Sequence, residues 1–446
     1  MSLLKHIAAL VLLMLCLSPG PAAGQRRYVL KGATLINGVF DRPLKDHLVV
    51  VDGSRIIGVG RAKKVIIPAD AVVIDLTGKF IIPGLIDAHV HEESMADWAA
   101  YLDWGITSVN CMYENTDTAL ARERWSASDS LRSPRIYATA PIFTVRGGWW
   151  EGEGFPDDPT VDRYPEKEAD AREAVGKTYK KGIRRIKLMV DDMRWCRDPL
   201  PPLAPMDSAI MNALLAEASR LGMTSEVHAP ERSMAARAIA GGASALLHGV
   251  LDDWLAAGDI EKLLSEDMFY VPTFCLYYFL ADVDSFTAHV MADPRFRRYL
   301  PPETVSRLTG KKYSERYRSR YPNTGFVASH LPALNGNTLA IASNYGQIAM
   351  GTDMWALPGI GAHLELEYMV RAGLTPMQAL TAATFLGAKF LGVLDHTGTV
   401  EPGKDADLLV LDADPLADIT NTRSIDMVIR QGKIYRPHRT GENPDR

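Results

Sequence analysis

Between residues 83 and 395, short apolar runs alternate with helical patterns, and this alternation constrains the fold more than any other feature of the chain. Runs at 85–89, 108–111, 135–138, 185–189, 224–228, 245–248, 269–272 and 347–351 read as strands. Helical stretches, for example 208–221 and 233–240, separate most of them. Strands that alternate with helices build parallel sheets, because a parallel neighbour is reached only through a crossover. Eight strands at this spacing predict an α/β fold of the (β/α)8 TIM-barrel type over 83–395. The alternative is an open, doubly wound sheet. No Gly-x-Gly-x-x-Gly follows an early strand, and Gly147-Gly148 and Gly241-Gly242 lack the strand–turn–helix setting, so dinucleotide binding is disfavoured.

The two ends read differently. Residues 28–30, 33–36, 48–51, 56–59 and 72–74 are β-like, and Asp52-Gly53 is a tight-hairpin signal. These strands are too few to close a core alone. Residues 407–411, 427–430 and 433–435 are β-like as well, with Gln431-Gly432 turning between the last two. The expectation is one small β-sandwich domain formed from both ends, 25–82 plus 396–446, with the barrel inserted between.

A chain of 446 residues fits one large domain plus a smaller one. Its net charge of −5 gives no footing for a nucleic-acid partner. Residues 1–24 have the layout of a signal peptide: Lys5 and His6, an apolar run over 8–17, a Ser18-Pro19-Gly20-Pro21 break and small residues Ala22-Ala23-Gly24. The run is shorter than the roughly 20 residues of a spanning helix, so export to the periplasm or medium without stable membrane insertion is expected. Leu15 stands before Cys16, where a lipidation site wants a small residue. Cys111, Cys196 and Cys275 are odd in number and widely spaced, and read as packed residues. The long connection 276–335 carries Arg295, Arg297, Arg298, Lys311, Lys312, Arg316, Arg318 and Arg320. It reads either as a lid or substrate wall or as a solvated helical excursion. One of these residues, or Arg146 or Arg232, is expected to meet an anionic substrate group.

Barrel active sites sit at the C-terminal ends of the strands. The predicted strands end in His89 and His91, then Lys187, His228, His248 and Asp353. In His-x-His on a strand, both imidazoles point to one side and can grip one metal ion. Each residue alone has a structural reading, but six in this order point to a metal centre. Lys187 is the odd member, since a buried lysine is costly unless paired or chemically changed.

The order and context resemble the metal-dependent amidohydrolase superfamily over nearly the whole chain. The motifs are Pro83-Gly84-Leu85-Ile86-Asp87-Ala88-His89-Val90-His91, His248-Gly249, Gly351-Thr352-Asp353, Glu365-Leu366-Glu367, Ala372-Gly373-Leu374-Thr375-Pro376, Ala379-Leu380-Thr381-Ala382-Ala383-Thr384 and Glu401-Pro402-Gly403-Lys404-Asp405-Ala406-Asp407-Leu408. Within it, the chain looks most like the imidazolonepropionase-related group that includes prolidase-type dipeptidases. The resemblance implies two divalent ions, zinc first among the candidates: His89, His91 and Asp353 on the inner one, His228 and His248 on the outer. Lys187 would be N6-carboxylysine, its carbon-dioxide-derived carbamate bridging both ions. A mononuclear deaminase-like site is the alternative. Implied catalysis uses a metal-bridging hydroxide, with Asp353 accepting its proton and passing it to the leaving nitrogen.

One departure bears on substrate. Many relatives carry Gly-Gly-His where this chain has Gly147-Gly148-Trp149-Trp150. Trp149 and Trp150 read either as an aromatic wall for a bulky apolar group or as packing of a loop against the barrel. Arg232 and Tyr277 are candidate substrate contacts, and His363 is expected close to the site. The implied activity is prolidase-like cleavage of dipeptides or N-acyl amino acids bearing a carboxylate, by a homo-oligomer. A cyclic amide or lactone substrate is the nearest alternative, and a non-catalytic barrel scaffold the remote one.

Overall fold

The computed structural model describes residues 27–39, 42–91, 94–128, 131–152 and 156–437. The leader expected over 1–24 lies outside the described residues. The N-terminal part forms β1 (Tyr28–Lys31), β2 (Thr34–Leu35), β3 (His47–Asp52), β4 (Arg55–Arg61), β5 (Val72–Asp75) and β6 (Phe80–Pro83). Nine strands follow: β7 (Leu85–Val90), β8 (Ile106–Met112), β9 (Arg135–Thr139), β10 (Ile142–Phe143), β11 (Arg185–Met189), β12 (Thr224–His228), β13 (Ala245–Leu247), β14 (Phe269–Val271) and β15 (Gln347–Ile348). The C-terminal part adds β16 (Leu408–Leu411), β17 (Ile425–Arg430) and β18 (Lys433–Tyr435).

The middle strands pair in parallel and in chain order, as β7-β8-β9 and β10-β11-β12-β13-β14-β15. This is the parallel α/β content that the alternation predicts. Eight strands are expected where nine segments occur. The extra segment arises at Ala140-Pro141, where proline has no N–H to offer a ladder. The chain still tracks β11 there: Ala140 N–H donates to the Arg185 carbonyl (3.0 Å) and Lys187 N–H to the Pro141 carbonyl (3.4 Å). At the other side, Ala88 N–H donates to the Met350 carbonyl (2.8 Å) and Asp353 N–H to the His89 carbonyl (2.9 Å). Three expected strands are shorter than read; β13 stops at Leu247 because His248 takes φ of 68° and so leaves the extended region, and Thr273 and Asp353, beyond β14 and β15, take φ of 49° and 48°.

The helices between strands bury one stripe each. In Ser208–Arg220, Asp207 caps the N-terminus by accepting from Ala209 N–H (2.7 Å), and Ile210, Ala213, Leu214 and Ala218 face inward at helical spacing. The long connection is helical, comprising Phe274–Ala281, Val283–Ala292, Pro294–Tyr299, Pro302–Thr309, Lys311–Arg320 and Thr324–Ser343. Among the described residues no helix is long and apolar enough to cross a membrane.

Both chain ends contribute to one five-stranded sheet, β18-β17-β16-β6-β2, in which β6 runs antiparallel to β16. A four-stranded sheet, β4-β3-β1-β5, stands beside it, with Gly53 (φ 57°) turning β3 into β4. Leu30, Val49 and Val51 of one sheet and Ile81, Leu408, Val410 and Ile429 of the other share a buried apolar cluster. A polar lock ties the C-terminal part to the α/β body. Arg423, almost fully buried, donates to Asp293 (2.8 Å) and to Glu367 of the helix Ile360–Arg371.

Breaking a buried ion pair leaves a stranded charge, so Arg423→Ala is expected to lower stability by about 3 kcal/mol, read as an earlier urea midpoint. Asp293 carries an acid signature. Burial opposes its ionisation, but hydrogen bonds from Arg295 and Arg423 outweigh this and hold its carboxyl at about 2, below the ordinary 3.8. Its contribution is therefore complete above the ordinary value and is lost as pH falls through about 2. Asp293→Asn should flatten that part of the acid-unfolding profile; an unchanged profile would contradict the assignment.

Candidate metal centre

Two close approaches set the frame. A Cβ at Gly84 would lie 2.3 Å from Thr107 Oγ1, so glycine lets β7 start tight against β8. A Cβ at Gly351 would lie 2.5 Å from Val271 Cγ1 and 2.9 Å from His89 Cβ, so glycine lets the chain after β15 pass directly behind His89. Asp87 then joins the two. Its Oδ1 accepts from the backbone N–H of His89 (3.1 Å) and of Thr352 (3.0 Å), and its Oδ2 from the Thr352 hydroxyl (2.8 Å). Burial pushes the Asp87 carboxyl up to about 7 against those hydrogen bonds.

The six expected residues meet. His89 Nε2 lies 3.3 Å from His91 Nε2 and 3.1 Å from Lys187 Nζ. Asp353 Oδ1 is 3.8 Å from both His89 Nε2 and His91 Nε2, and its Oδ2 is 3.9 Å from His248 Nε2. The His228 and His248 rings are 4.2 Å apart. His89, His248 and Asp353 each offer a donor atom within 4.8 Å of the others, a grouping that spans the inner and outer sets implied by the resemblance. His248 Nδ1 is 3.0 Å from Thr273 Oγ1, which turns Nε2 toward Asp353.

Burial, with Lys187 the next cause for two of them, holds His89, His91 and His248 well below the ordinary imidazole value, so each presents a neutral ring with a lone pair. Burial lowers the Lys187 amine to about 8, against the attraction of Asp353, Glu226 and Asp191. Burial also raises Asp353 to about 7, with Lys187 pulling the other way. His89 Nδ1 and both ring nitrogens of His228 are buried without a hydrogen-bond partner. Such atoms are costly unless something fills their lone pairs, and a divalent cation does so. Imidazole nitrogens with carboxylate oxygen suit zinc-like ions better than calcium or magnesium. The residues fit a metal, with Lys187 fitting only as something other than an ammonium.

Above the cluster opens a cavity of about 620 Å³. His91, Lys187, His228, His248 and Asp353 line it, together with Trp149, Trp150, Trp195, Trp355, Leu276 and Leu280. The helix Lys311–Arg320 and the residue after it supply Arg316, Tyr317, Arg320 and Tyr321. Trp150 (φ 74°) lies 4.9 Å from the His91 ring and donates its indole N–H to Glu114. The Arg320 guanidinium sits 5.0 Å over Trp149 and donates to the Tyr321 hydroxyl (3.1 Å).

Three expected contacts are corrected, since none lines the cavity. Arg232 pairs at the surface with Asp253 (2.7 Å). Tyr277 is buried and donates its hydroxyl to the Gly249 carbonyl (2.7 Å). His363 is buried away from the cluster, with Nε2 2.9 Å from the Trp104 carbonyl and Nδ1 2.9 Å from Thr422 Oγ1, and burial drives its imidazole down to about 3. Arg146 pairs with Glu151 and rests over Tyr164 instead. Trp195, Trp355, Tyr317 and Tyr321 were not anticipated at the cavity, nor Asp191 beside His228; the nearest sequence signal is their closeness to Lys187 and Asp353 or to the basic run.

The model of the amidohydrolase family matches residues 80–435. A dihydroorotase of Pelotomaculum thermopropionicum is 23% identical over 422 residues, covering 87% of this chain and 89% of that protein. Among solved structures, a Xaa-Pro dipeptidase with bound methionine superposes with a TM-score of 0.71 at 23% identity, over 92% of this chain and all of that one. A putative prolidase from Bifidobacterium longum gives 0.70 at 26%, over 92% and 95%.

Asp87→Ala strands three donors in the core. It is expected to cost about 3 kcal/mol and to lower bound zinc in metal analysis. His363→Ala is expected to lower the melting temperature while leaving kcat/KM of the folded fraction unchanged. A large fall in kcat/KM would return His363 to the site.

Proposed function

The chain belongs to the amidohydrolase family, a hydrolase of C–N bonds, and on that premise we propose that it cleaves the amide bond of dipeptides or N-acyl amino acids that carry a free carboxylate, in the manner of a prolidase. The observation that carries this reading is the cavity itself. Its floor is formed by His91, Lys187, His228, His248 and Asp353, with His89 buried among them, and its wall joins indoles to the cations Arg316 and Arg320. The wall pairs an apolar recess with charges suited to a carboxylate.

Two divalent ions, zinc in the leading version, fit His89, His91 and Asp353 on one side and His228 and His248 on the other. When bound, they supply Lewis acidity at the scissile carbonyl and a water acidic enough to attack near neutral pH. Lys187, as its carbamate, would add an anionic oxygen between them; its buried position next to His89 supports this. Asp353 lies at the cavity floor, where its carboxylate accepts the proton of the attacking water and delivers it to the leaving nitrogen. Trp149, Trp150 and Trp195 exclude water from the bond being broken. The dihydroorotase match supports a second reading, hydrolysis of a cyclic amide.

We also propose that β7 to β15 form a closed (β/α)8 barrel over 83–395, which the hydrogen bonds of Ala88 and Asp353 across to β7 and the chain after β15 support. The two smaller sheets then form a β-sandwich from 25–82 plus 396–446, supported by their shared apolar cluster. Export through residues 1–24 and assembly as a homo-oligomer belong to the same reading.

A panel of dipeptides, N-acyl amino acids, cyclic amides and lactones tests it. Chelator-sensitive release of amino acids is expected, falling about 10³-fold in Asp353→Asn. Turnover of cyclic amides or lactones alone would overturn the peptidase reading. Arg320→Met is expected to raise KM about ten- to a hundredfold for substrates with a carboxylate and not for the matching amides, since a charge-assisted hydrogen bond contributes about 1.5–3 kcal/mol.

A further inference from the structure

The six residues of the cluster leave one histidine without a visible means of orientation. His248 is turned by Thr273 Oγ1, and His89 is set by its strand and by Lys187. His228, at the end of β12, has neither nitrogen hydrogen-bonded, although the ring is buried. An unheld imidazole has two tautomers and a broad χ2, and only one combination presents a lone pair to an ion.

Asp191 stands beside it. Met189 of β11 lies in register with His228 of β12, and Asp191 follows two residues later, just past the end of the strand. Its side chain is fully buried. Trp195 Nε1 donates to Oδ2 at 3.0 Å. Oδ1 has no hydrogen-bond partner and lies 3.3 Å from His228 Nε2. The distance is right for a hydrogen bond, and among the described residues neither atom has another hydrogen-bond partner.

We infer that Asp191 is the positioning residue of His228. Its Oδ1 accepts a proton held on Nε2, which fixes the tautomer and leaves Nδ1 as the lone pair offered to the outer ion. Metal-binding histidines are commonly oriented through a carboxylate on the far nitrogen, and loss of that carboxylate weakens the metal about ten- to a hundredfold. His228 and His248 would then offer different nitrogens, Nδ1 of the first and Nε2 of the second, from rings 4.2 Å apart and near perpendicular at 65°. Asp191 also holds Trp195, so one carboxylate ties a cavity-wall indole to a metal-binding imidazole. The inference rests on the metal-centre reading.

The test measures zinc stoichiometry and affinity on the full chain by competition with a chromophoric chelator. Asp191→Ala is expected to weaken one bound ion about ten- to a hundredfold and leave the other unchanged. His228→Ala should weaken the same ion, and adding Asp191→Ala to it should cost nothing more, because the aspartate acts through that ring. Equal weakening of both ions, no weakening, or a further loss in the double variant would overturn the role assigned to Asp191. Failure of the wild-type chain to bind zinc would instead overturn the metal-centre reading beneath it.

Discussion

The Asp87 carboxylate carries the geometry of the cluster. It holds the backbone of His89 and both donors of Thr352 at once, so the end of β7 and the chain after β15 are fixed to each other to within a hydrogen bond. His89 and Asp353 are the direct neighbours of those held atoms, and their side chains face one another as a consequence. The approach is close enough that Gly351 can carry no side chain. Burial makes an unpaired carboxylate costly, and three donors offset that cost while fixing direction. His248, Thr273 and Asp353, all in the left-handed region beyond successive strands, add local strain of about 1–3 kcal/mol each. The surrounding hydrogen bonds make it tolerable, and the site is thereby held in shape before any ligand arrives.

Charge balance shapes the rest of the centre. A lysine, several imidazoles and an aspartate share one dry volume, and none can take its ordinary protonation state without a neighbour adjusting. Burial holds His89, His91 and His248 neutral, lowers the Lys187 amine and raises the Asp353 carboxyl. This compromise suits a cation far better than it suits an empty protein site. The cavity wall has a different make-up: indoles and phenols stand beside the guanidiniums of Arg316 and Arg320.

Much of this was legible in the sequence. The strand-end residues His89, His91, Lys187, His228, His248 and Asp353 were readable because a short parallel strand ends where its apolar run ends, and the next polar side chain lies at the mouth of the sheet. That strands from both ends of the chain share a sheet was readable from the β-like runs at both termini. What was not legible depends on side-chain direction and on helix packing. Tyr277 and His363 look like site residues by position, yet each faces a carbonyl in the core. Arg232 begins a helix and turns outward to Asp253. Arg316 and Arg320 reach the cavity because residues four apart on a helix share a face, and the helical excursion lays that face over the mouth. The break at Pro141 adds a segment that no apolar run announced.

The pairing of β6 with β16 has a consequence for how the protein comes into being. β6 runs straight into β7, the strand that ends in His89, so the foot of that strand is anchored by a partner at the far end of the chain. Contacts of such long sequence separation form slowly and late. During synthesis β6 has no neighbour on that side until β16 emerges, after all six residues of the cluster have already left the ribosome. The ladder that steadies the first histidine strand is thus among the last to close, and an unfinished or truncated chain would hold all six side chains without the scaffold that aligns them.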